Sequence, residues 1–383
     1  MQQRFDFEEI RPLYDEEVHT TMAQIINEPA LEPFLKFIDP DSSVELIKEK
    51  LLSIKSKKEF QTKVSVYSLF KLAEKTATSL NLYGTENISK DKSYTYISNH
   101  RDIILDASFL NIQLHKAGFE TSEVAIGDNL LIYPWIKELV RVNKSFIVKR
   151  NVPIRQMLEI SRRLSYYIHF ALKIKGESIW IAQREGRSKD WTDKTQESLL
   201  KMLAMGGGKD LISSLSSMNI APVAISYEYD PCDYLKASEY QLKRDNPEYK
   251  KTVHDDLLNM KTGLLGFKGN IDFRISPIIN DEINSIDETL DKGEKVLRIA
   301  EIIDKHIHSN MTLFPVNYIA YDLFYNTNKY ADKYNQHLKE AYIKYVNTQI
   351  EKVEIPNKDN QFLFNKIIEM YSNTVLNYEK ATM

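Results

Sequence analysis

The residues best suited to catalysis lie in the segment 94–110, where a short apolar run ends at His100. Asp102 and Asp106 follow, within a stretch whose apolar residues recur at helical spacing. A carboxylate that accepts the Nδ1 proton of an imidazole leaves Nε2 free to act as a general base. We therefore predict that His100 opens a strand-to-helix turn and pairs with one of the two aspartates.

Two later segments place charged side chains where apolar runs end. The run 146–148 is followed by Lys149 and Arg150, and the run 180–183 leads into 184–187, whose sequence is Arg-Glu-Gly-Arg. Arginine can bind a phosphate through two parallel hydrogen bonds, and lysine offers a point charge. Residues 137–175 as a whole carry ten basic against two acidic side chains. These segments are candidate sites for an anionic ligand or an anionic membrane surface.

An alternation of strands and helices would position these residues. Short β-rich runs occur at 94–98, 123–127, 145–149, 178–182, 220–227 and 270–275, with helical stretches between them. This alternation is typical of an α/β fold with a mixed, largely parallel sheet flanked by helices, in which functional loops follow the carboxyl ends of strands. We predict a helical N-terminal unit (1–85), an α/β core (86–285) and a helical C-terminal extension (286–383).

Composition limits the remaining possibilities. The chain has 383 residues, a net charge of -3 and one cysteine, Cys232. A single cysteine excludes an internal disulfide framework and a cysteine-based metal cluster, and it agrees with a reducing compartment. No run of 18 apolar residues is present, so we expect no transmembrane helix. We expect no metal and no nucleic-acid partner, and a cytoplasmic protein that meets a membrane only peripherally, at its inner face.

Four segments, in this order, resemble the motifs of the glycerolipid acyltransferase superfamily, the glycerol-3-phosphate and 1-acylglycerol-3-phosphate acyltransferases. They are the His100 block, the strand that leads into Arg150, the turn Glu185-Gly186-Arg187, and a strand with one proline at 220–225. The resemblance covers roughly residues 90–232 and is specific as a set, since each segment alone is a weak match. It implies an acyltransferase-like α/β core.

The sequence departs from the family's motifs at two places. The family has four residues between its histidine and aspartate, whereas five lie between His100 and Asp106. We favour Asp106 as the partner because it begins the small and apolar stretch 107–110, as expected of a residue on a buried helix. Asp102, the alternative catalytic carboxylate, then complements the helix N-terminus. In the third motif Gly186 runs directly into an arginine, without the residue that the family usually has between them.

The resemblance implies transfer of a fatty acyl group from acyl-CoA or acyl carrier protein to a hydroxyl of a glycerol-phosphate-type acceptor in phospholipid synthesis. His100 is the expected base and Asp106 its partner, with direct attack by the acceptor, no covalent acyl-enzyme and no cofactor beyond the acyl donor. Backbone N–H groups of the turn after Asn99 are expected to stabilise the oxyanion. We assign to substrate binding Asn99, Arg101, Lys149, Arg150, Glu185, Gly186 and Arg187.

Two alternatives remain open. The altered motif spacing is compatible with the same chemistry on a non-phosphate acceptor, such as a hydroxyacyl amino-acid lipid. A non-catalytic lipid-binding protein is the other alternative, although the intact His100 argues against it. The apolar and aromatic segment 130–136, followed by Lys137 and Arg141, is expected either to lie at a membrane interface or to pack as a core helix.

Overall fold

The computed structural model describes residues 6–39, 42–150 and 152–383. Within these residues, a seven-stranded sheet with the order β1-β7-β6-β2-β5-β3-β4 forms the centre of the molecule. Its strands are β1 (Ser79–Tyr83), β2 (Thr95–Ser98), β3 (Glu123–Gly127), β4 (Ser145–Val148), β5 (Ile179–Ala182), β6 (Ile220–Tyr227) and β7 (Asn270–Ile275). The six predicted strand runs correspond to β2 through β7.

The sheet is mixed and largely parallel, as predicted. Strands β2 to β6 all run in one direction, and the pair β1 and β7 runs in the other, so that β7 is antiparallel to β6. The strands β2 to β6 therefore end on the same side of the sheet. We call this side the carboxyl end of the sheet, and the turns that follow the strands there hold the predicted site residues.

Helices surround the sheet and form both ends of the chain. They are α1 (Asp15–Ile25), α2 (Glu32–Ile38), α3 (Val44–Leu52), α4 (Lys57–Phe60), α5 (Val66–Thr76), α6 (Leu105–Lys116), α7 (Pro134–Val142), α8 (Ile154–Phe170), α9 (Glu197–Leu203), α10 (Leu211–Ser216), α11 (Asp233–Asp245), α12 (Val253–Leu265), α13 (Asn280–Asn284), α14 (Lys292–Ser309), α15 (Pro315–Phe324), α16 (Gln336–Glu351) and α17 (Asn360–Thr382).

Alternate residues of the central strands point into two separate cores. Ile97 and Ile181 pack with apolar residues of α8, α9, α10 and α14 on one face of the sheet. Tyr96 and Trp180, their neighbours in sequence, pack with α5 and α6 on the other face. Because successive side chains of a strand point to opposite faces, a sheet covered on both sides needs strands that are apolar throughout. This requirement explains the continuous apolar runs in the sequence.

The two ends of the chain form helical cores of their own. Residues of α1, α3 and α4 pack together with Val142 of α7, and residues of α15, α16 and α17 pack around Trp191, which lies in the loop after β5. The sheet begins at Ser79, ahead of the predicted start of the core at residue 86, because residues 79–83 pair with β7. In the part of the chain that the structure describes, no helix has the length and apolar character needed to cross a membrane.

Candidate active site

The turn between β2 and α6 holds His100 against Asp106. Nδ1 of His100 lies 2.8 Å from Oδ2 of Asp106, which is in the first turn of α6. The imidazole is 14% exposed, whereas the carboxylate is fully buried. The other ring nitrogen, Nε2, has no hydrogen-bond partner among the described residues. One nitrogen of the ring is therefore fixed by a carboxylate, and the other is available to a ligand.

Carboxylate oxygens also bind the backbone of this turn. Oδ2 of Asp106 accepts the N–H groups of Arg101 at 2.6 Å and of Asp102 at 3.0 Å. Oδ1 of Asp102 accepts the N–H groups of Ile104 and Leu105, each at 2.8 Å. The expectation that the turn supplies N–H donors to an oxyanion is therefore wrong for these four groups, because all of them are already hydrogen-bonded.

Asp102 caps helix α6 and does not contact His100. Burial, followed by the charge of Asp106, raises the pKa of the Asp102 carboxyl. The side chain also packs closely on α12, since a Cβ added at Gly263 would lie 1.9 Å from Oδ2 of Asp102. Of the two candidate carboxylates, Asp106 is thus the one in contact with the imidazole, and Asp102 has the structural position at the helix start.

Tyr227, the last residue of β6, was not identified from the sequence. Its hydroxyl is buried and has no hydrogen-bond partner among the described residues; burial, followed by the charges of Asp106 and Asp102, raises the Tyr227 pKa well above its usual value. Tyr227 reaches the site because β6 pairs with β2 and continues past Val223, the partner of Ser98 at the end of β2. The order of strands in a sheet is not visible in a local pattern, and the sequence offered no signal for this residue.

Two of the predicted substrate-binding residues are structural. The side chain of Asn99 is buried and forms two hydrogen bonds with the backbone of Ile225, at 2.8 and 2.9 Å, which join the end of β2 to β6. Arg101 is also buried; its guanidinium binds both oxygens of Asp193, at 2.8 and 2.6 Å, and lies 4.1 Å from the ring centre of Trp191. Neither side chain has a free surface for a ligand, which corrects both assignments.

The two cations after β4 have different partners. Lys149 pairs with Glu9 and thereby lowers the pKa of that carboxyl. The charge of Lys149 is therefore compensated by Glu9, and the structure adds no support to the prediction that Lys149 binds the acceptor. Arg150 lies 3.4 Å from Glu185 and packs against Gly127, where an added Cβ would lie 2.5 Å from Nε of Arg150. The structure therefore brings together Arg150 and Glu185, which are predicted site residues from separate segments.

The glycine turn after β5 directs Arg187 toward α12. Gly186 has a φ of 69°, and an added Cβ would meet nothing within 4 Å, so the backbone conformation, and not crowding, favours glycine there. The guanidinium of Arg187 donates to Oδ1 of Asn259 at 2.9 Å. Burial lowers the Arg187 pKa, but the neighbouring acidic groups Cys232 and Asp230 raise it by more. Arg187 is thus a half-buried cation near the turn that holds His100.

A cavity of about 270 Å³ opens beside this glycine turn. It is lined by four cations and two carboxylates, with one threonine and one tyrosine: Arg184, Arg187, Lys189, Lys243, Asp190, Glu239, Thr192 and Tyr240. Glu239 binds Lys189 and lies 2.9 Å from Lys243. Arg184 makes no ion pair with any described residue. The lining has an excess of positive charge, which suits an anionic ligand.

The single thiol has the properties of a structural residue. Cys232 is buried, and burial raises its pKa to about 12, so the thiol stays protonated at neutral pH. Over the described ranges, no group of three or more His, Cys, Asp or Glu side chains is arranged to hold a metal ion. The candidate site therefore consists of the His100–Asp106 pair, Tyr227, and the cations near the glycine turn.

Comparison with known proteins identifies the core. The family model Acyltransferase matches residues 79–226, a range that includes all four motifs. No curated protein matches the chain. A solved structure with similarity to this chain is the crystal structure of the 1-acyl-sn-glycerophosphate (LPA) acyltransferase PlsC from Thermotoga maritima. The two sequences are 14% identical, the match covers 77% of this chain and 97% of that one, and the TM-score is 0.36. Over residues 79–226, which are fewer than half of its 383 residues, this chain therefore resembles the Acyltransferase family.

Proposed function

We propose that this domain transfers a fatty acyl group from acyl-CoA or acyl carrier protein to a hydroxyl of a glycerol-phosphate-type acceptor, as a step of phospholipid synthesis. The observation that carries the proposal is the 2.8 Å contact between His100 and Asp106 at the carboxyl end of the sheet. An imidazole fixed at one nitrogen and open at the other is the group that removal of an alcohol proton requires at neutral pH.

In this proposal His100 is the general base. We assign a proton to Nδ1, which donates to Asp106, so that Nε2 accepts the proton of the acceptor hydroxyl. The hydroxyl oxygen attacks the thioester carbonyl carbon, the C–S bond breaks as the tetrahedral intermediate collapses, and the leaving thiolate takes the proton from Nε2. No acyl-enzyme is required, and the buried thiol of Cys232 is unsuited to forming one.

Asp106 orients the base and is itself held in place. Two backbone N–H groups donate to the same oxygen that contacts His100. A carboxylate held by two fixed donors cannot rotate away from the imidazole, and it stabilises the imidazolium that forms during proton transfer.

The acceptor phosphate is best accommodated by the cationic cavity beside the glycine turn. Arg184, Arg187 and Lys243 line this cavity, and Arg187 also binds α12, the helix that packs on Asp102. Arg150, which follows β4, lies 3.4 Å from Glu185 of the glycine turn. Lys149 is left out of the acceptor site in this proposal because Glu9 binds it.

The test is thiol release from a long-chain acyl-CoA by the purified protein with different acceptors. We expect release that depends on glycerol-3-phosphate or its monoacyl form. Arg184→Ala and Lys243→Ala should each raise the acceptor KM about tenfold, the value of one charge-assisted hydrogen bond, while kcat changes little. Lys201→Ala is the matched control, since among the described residues Lys201 pairs with Glu197 alone, on the surface of α9.

Two results would change the proposal. Thiol release that occurs with a hydroxyacyl amino-acid lipid and not with the phosphorylated acceptors would keep the base and replace the acceptor class. Release with none of these acceptors, from acyl-CoA or from acyl carrier protein, would contradict the proposal as a whole.

A further inference from the structure

Helix α8 begins with apolar residues that project into solvent. Ile154 is 88% exposed, and Met157 and Leu158 are exposed as well. Their spacing of three and four residues places them on one face of the helix. Leu164 and Ile168 continue the same stripe seven and eleven residues after Met157, and both are buried in the core. The apolar stripe of α8 therefore extends beyond the core that it helps to form.

Helix α12 and the residues after it present a second exposed apolar surface. Asn259 and Gly263 form its inner face, where they contact Arg187 and Asp102. Its outer side carries the exposed residues Val253, Leu257, Leu258 and Leu265, and Phe267 follows the helix. The apolar side chains of α12 named above therefore lie on its solvent side, and its protein side near Asp102 carries Asn259 and Gly263.

Both surfaces lie at the carboxyl end of the sheet, on either side of the catalytic turn. Helix α8 follows β4, whose carboxyl end is at this side. The start of β7 pairs with the end of β6, through Tyr227 and Ile271, so Phe267 lies there as well. In the segment 130–136, between β3 and α7, Tyr133 is exposed and stacks on Trp135, which packs with the N-terminal core.

Basic side chains without ion-pair partners border both surfaces. Arg155 lies in the first turn of α8 and Arg162 in its middle, and Lys250 and Lys261 lie next to and in α12; none of the four is in an ion pair with a described residue. Apolar side chains bordered by uncompensated cations are typical of a protein surface that enters the headgroup region of an anionic bilayer. The chain as a whole has a net charge of -3, so the unpaired cations at these two surfaces do not reflect an overall excess of basic residues.

We propose that the carboxyl end of the sheet docks on an anionic phospholipid bilayer, with the start of α8 and the outer side of α12 buried in the interface. This inference rests on the proposed function, because it places the base where acyl chains are found. His100 then opens toward the lipid, and a long-chain acceptor reaches Nε2 without leaving the bilayer surface. The membrane-facing residues belong to these two helices, and the segment 130–136 adds Tyr133.

Vesicle sedimentation with two double variants tests the proposal. Ile154→Glu/Leu158→Glu changes the α8 surface, and Leu257→Glu/Phe267→Glu changes the α12 surface. Ile174→Glu is the matched control, because Ile174 is 74% exposed and lies at the other end of the same helical run, just before β5. The wild type should bind equimolar phosphatidylcholine–phosphatidylglycerol vesicles more strongly at low salt than at high salt. Each double variant should bind at least about tenfold more weakly, and the control should bind as the wild type does.

Activity on a short-chain, water-soluble acyl thioester separates docking from catalysis. All variants should keep wild-type turnover of this substrate, which also shows that they fold. If the wild type lacked this turnover, the proposed function would fail, whereas the vesicle result would be unaffected. Three results would overturn the docking proposal: no vesicle binding by the wild type at low salt, wild-type binding by both double variants, or an equal loss in Ile174→Glu. Double variants that bind vesicles normally and lose transfer only from acyl carrier protein would identify a protein-docking surface, and would also overturn it.

Discussion

Substitution of Asp193 by asparagine should destabilise the fold because it breaks the ion pair with Arg101, the residue next to His100. Asp193 and Arg101 form an ion pair with two hydrogen bonds, and each side chain is 1% exposed. Removing one partner of such a pair leaves an uncompensated buried charge, which costs about 3–5 kcal/mol. Asparagine still accepts one hydrogen bond from the guanidinium, so we expect a loss near the lower limit, about 3 kcal/mol.

Urea unfolding followed by circular dichroism measures this loss. The control is Glu120→Gln, which breaks the Lys58–Glu120 pair; that pair has a similar distance, 2.7 Å, but its side chains are 70% and 71% exposed, so the cost should stay below about 1 kcal/mol. The double variant Arg101→Met/Asp193→Leu removes both charges and should be more stable than Asp193→Asn. A cost below about 1 kcal/mol for Asp193→Asn, or a double variant less stable than it, would refute the reasoning.

Three further predictions concern stability. Gly84→Ala should lower the free energy of unfolding by several kcal/mol, because its Cβ would lie 2.0 Å from a carbonyl oxygen of β7. Gly186→Ala should lower it by about 1 kcal/mol, because only the left-handed backbone conformation opposes alanine there. Equal losses of stability in thermal unfolding would contradict this. Burial raises the pKa of the Asp233 carboxyl from 3.8 to about 7. Between pH 3.8 and pH 7 the carboxyl is therefore protonated in the folded state and ionised in the unfolded state, so the stability of the fold decreases as the pH rises through this range. Asp233→Asn should therefore gain stability relative to the wild type from pH 4 to pH 8 in urea unfolding, and a constant difference would contradict the assignment. Asn99→Ala should cost about 2–4 kcal/mol, because it leaves buried backbone groups of β6 unpaired, with the acceptor KM unchanged; a raised KM would restore Asn99 to the binding site.

Strands β2 to β6 were predictable from the sequence because buried parallel strands are apolar throughout, and β7 was predictable because its apolar residues alternate with polar ones. Strand β1 was missed; its five residues lie at the edge of the sheet, and none of them is fully buried. The spacing of apolar residues also does not show where burial begins along α8. One apolar stripe runs along the whole helix, but Met157 is exposed, whereas Leu164 is buried.

Within the site, the pair of His100 and an aspartate was predictable because both lie in one turn. The roles of Asn99 and Arg101 were not, because their partners are 126 and 92 residues away in sequence. A polar side chain beside a catalytic histidine has the same local pattern whether it faces a ligand or a neighbouring strand. Tyr227 was missed for a related reason, since only the pairing of β2 with β6 brings it to Asp106.

The most direct test of the central claim compares the acceptor-dependent kcat of His100→Ala, Asp106→Asn and Asp102→Asn with that of the wild type. If His100 is the base and Asp106 orients it, the first two substitutions should each lower kcat by about 10³-fold or more. Asp102→Asn keeps an oxygen that can accept the N–H groups at the start of α6, so its kcat should stay within about tenfold of the wild type. Activity retained in His100→Ala, or a loss in Asp102→Asn as large as that in Asp106→Asn, would contradict the account.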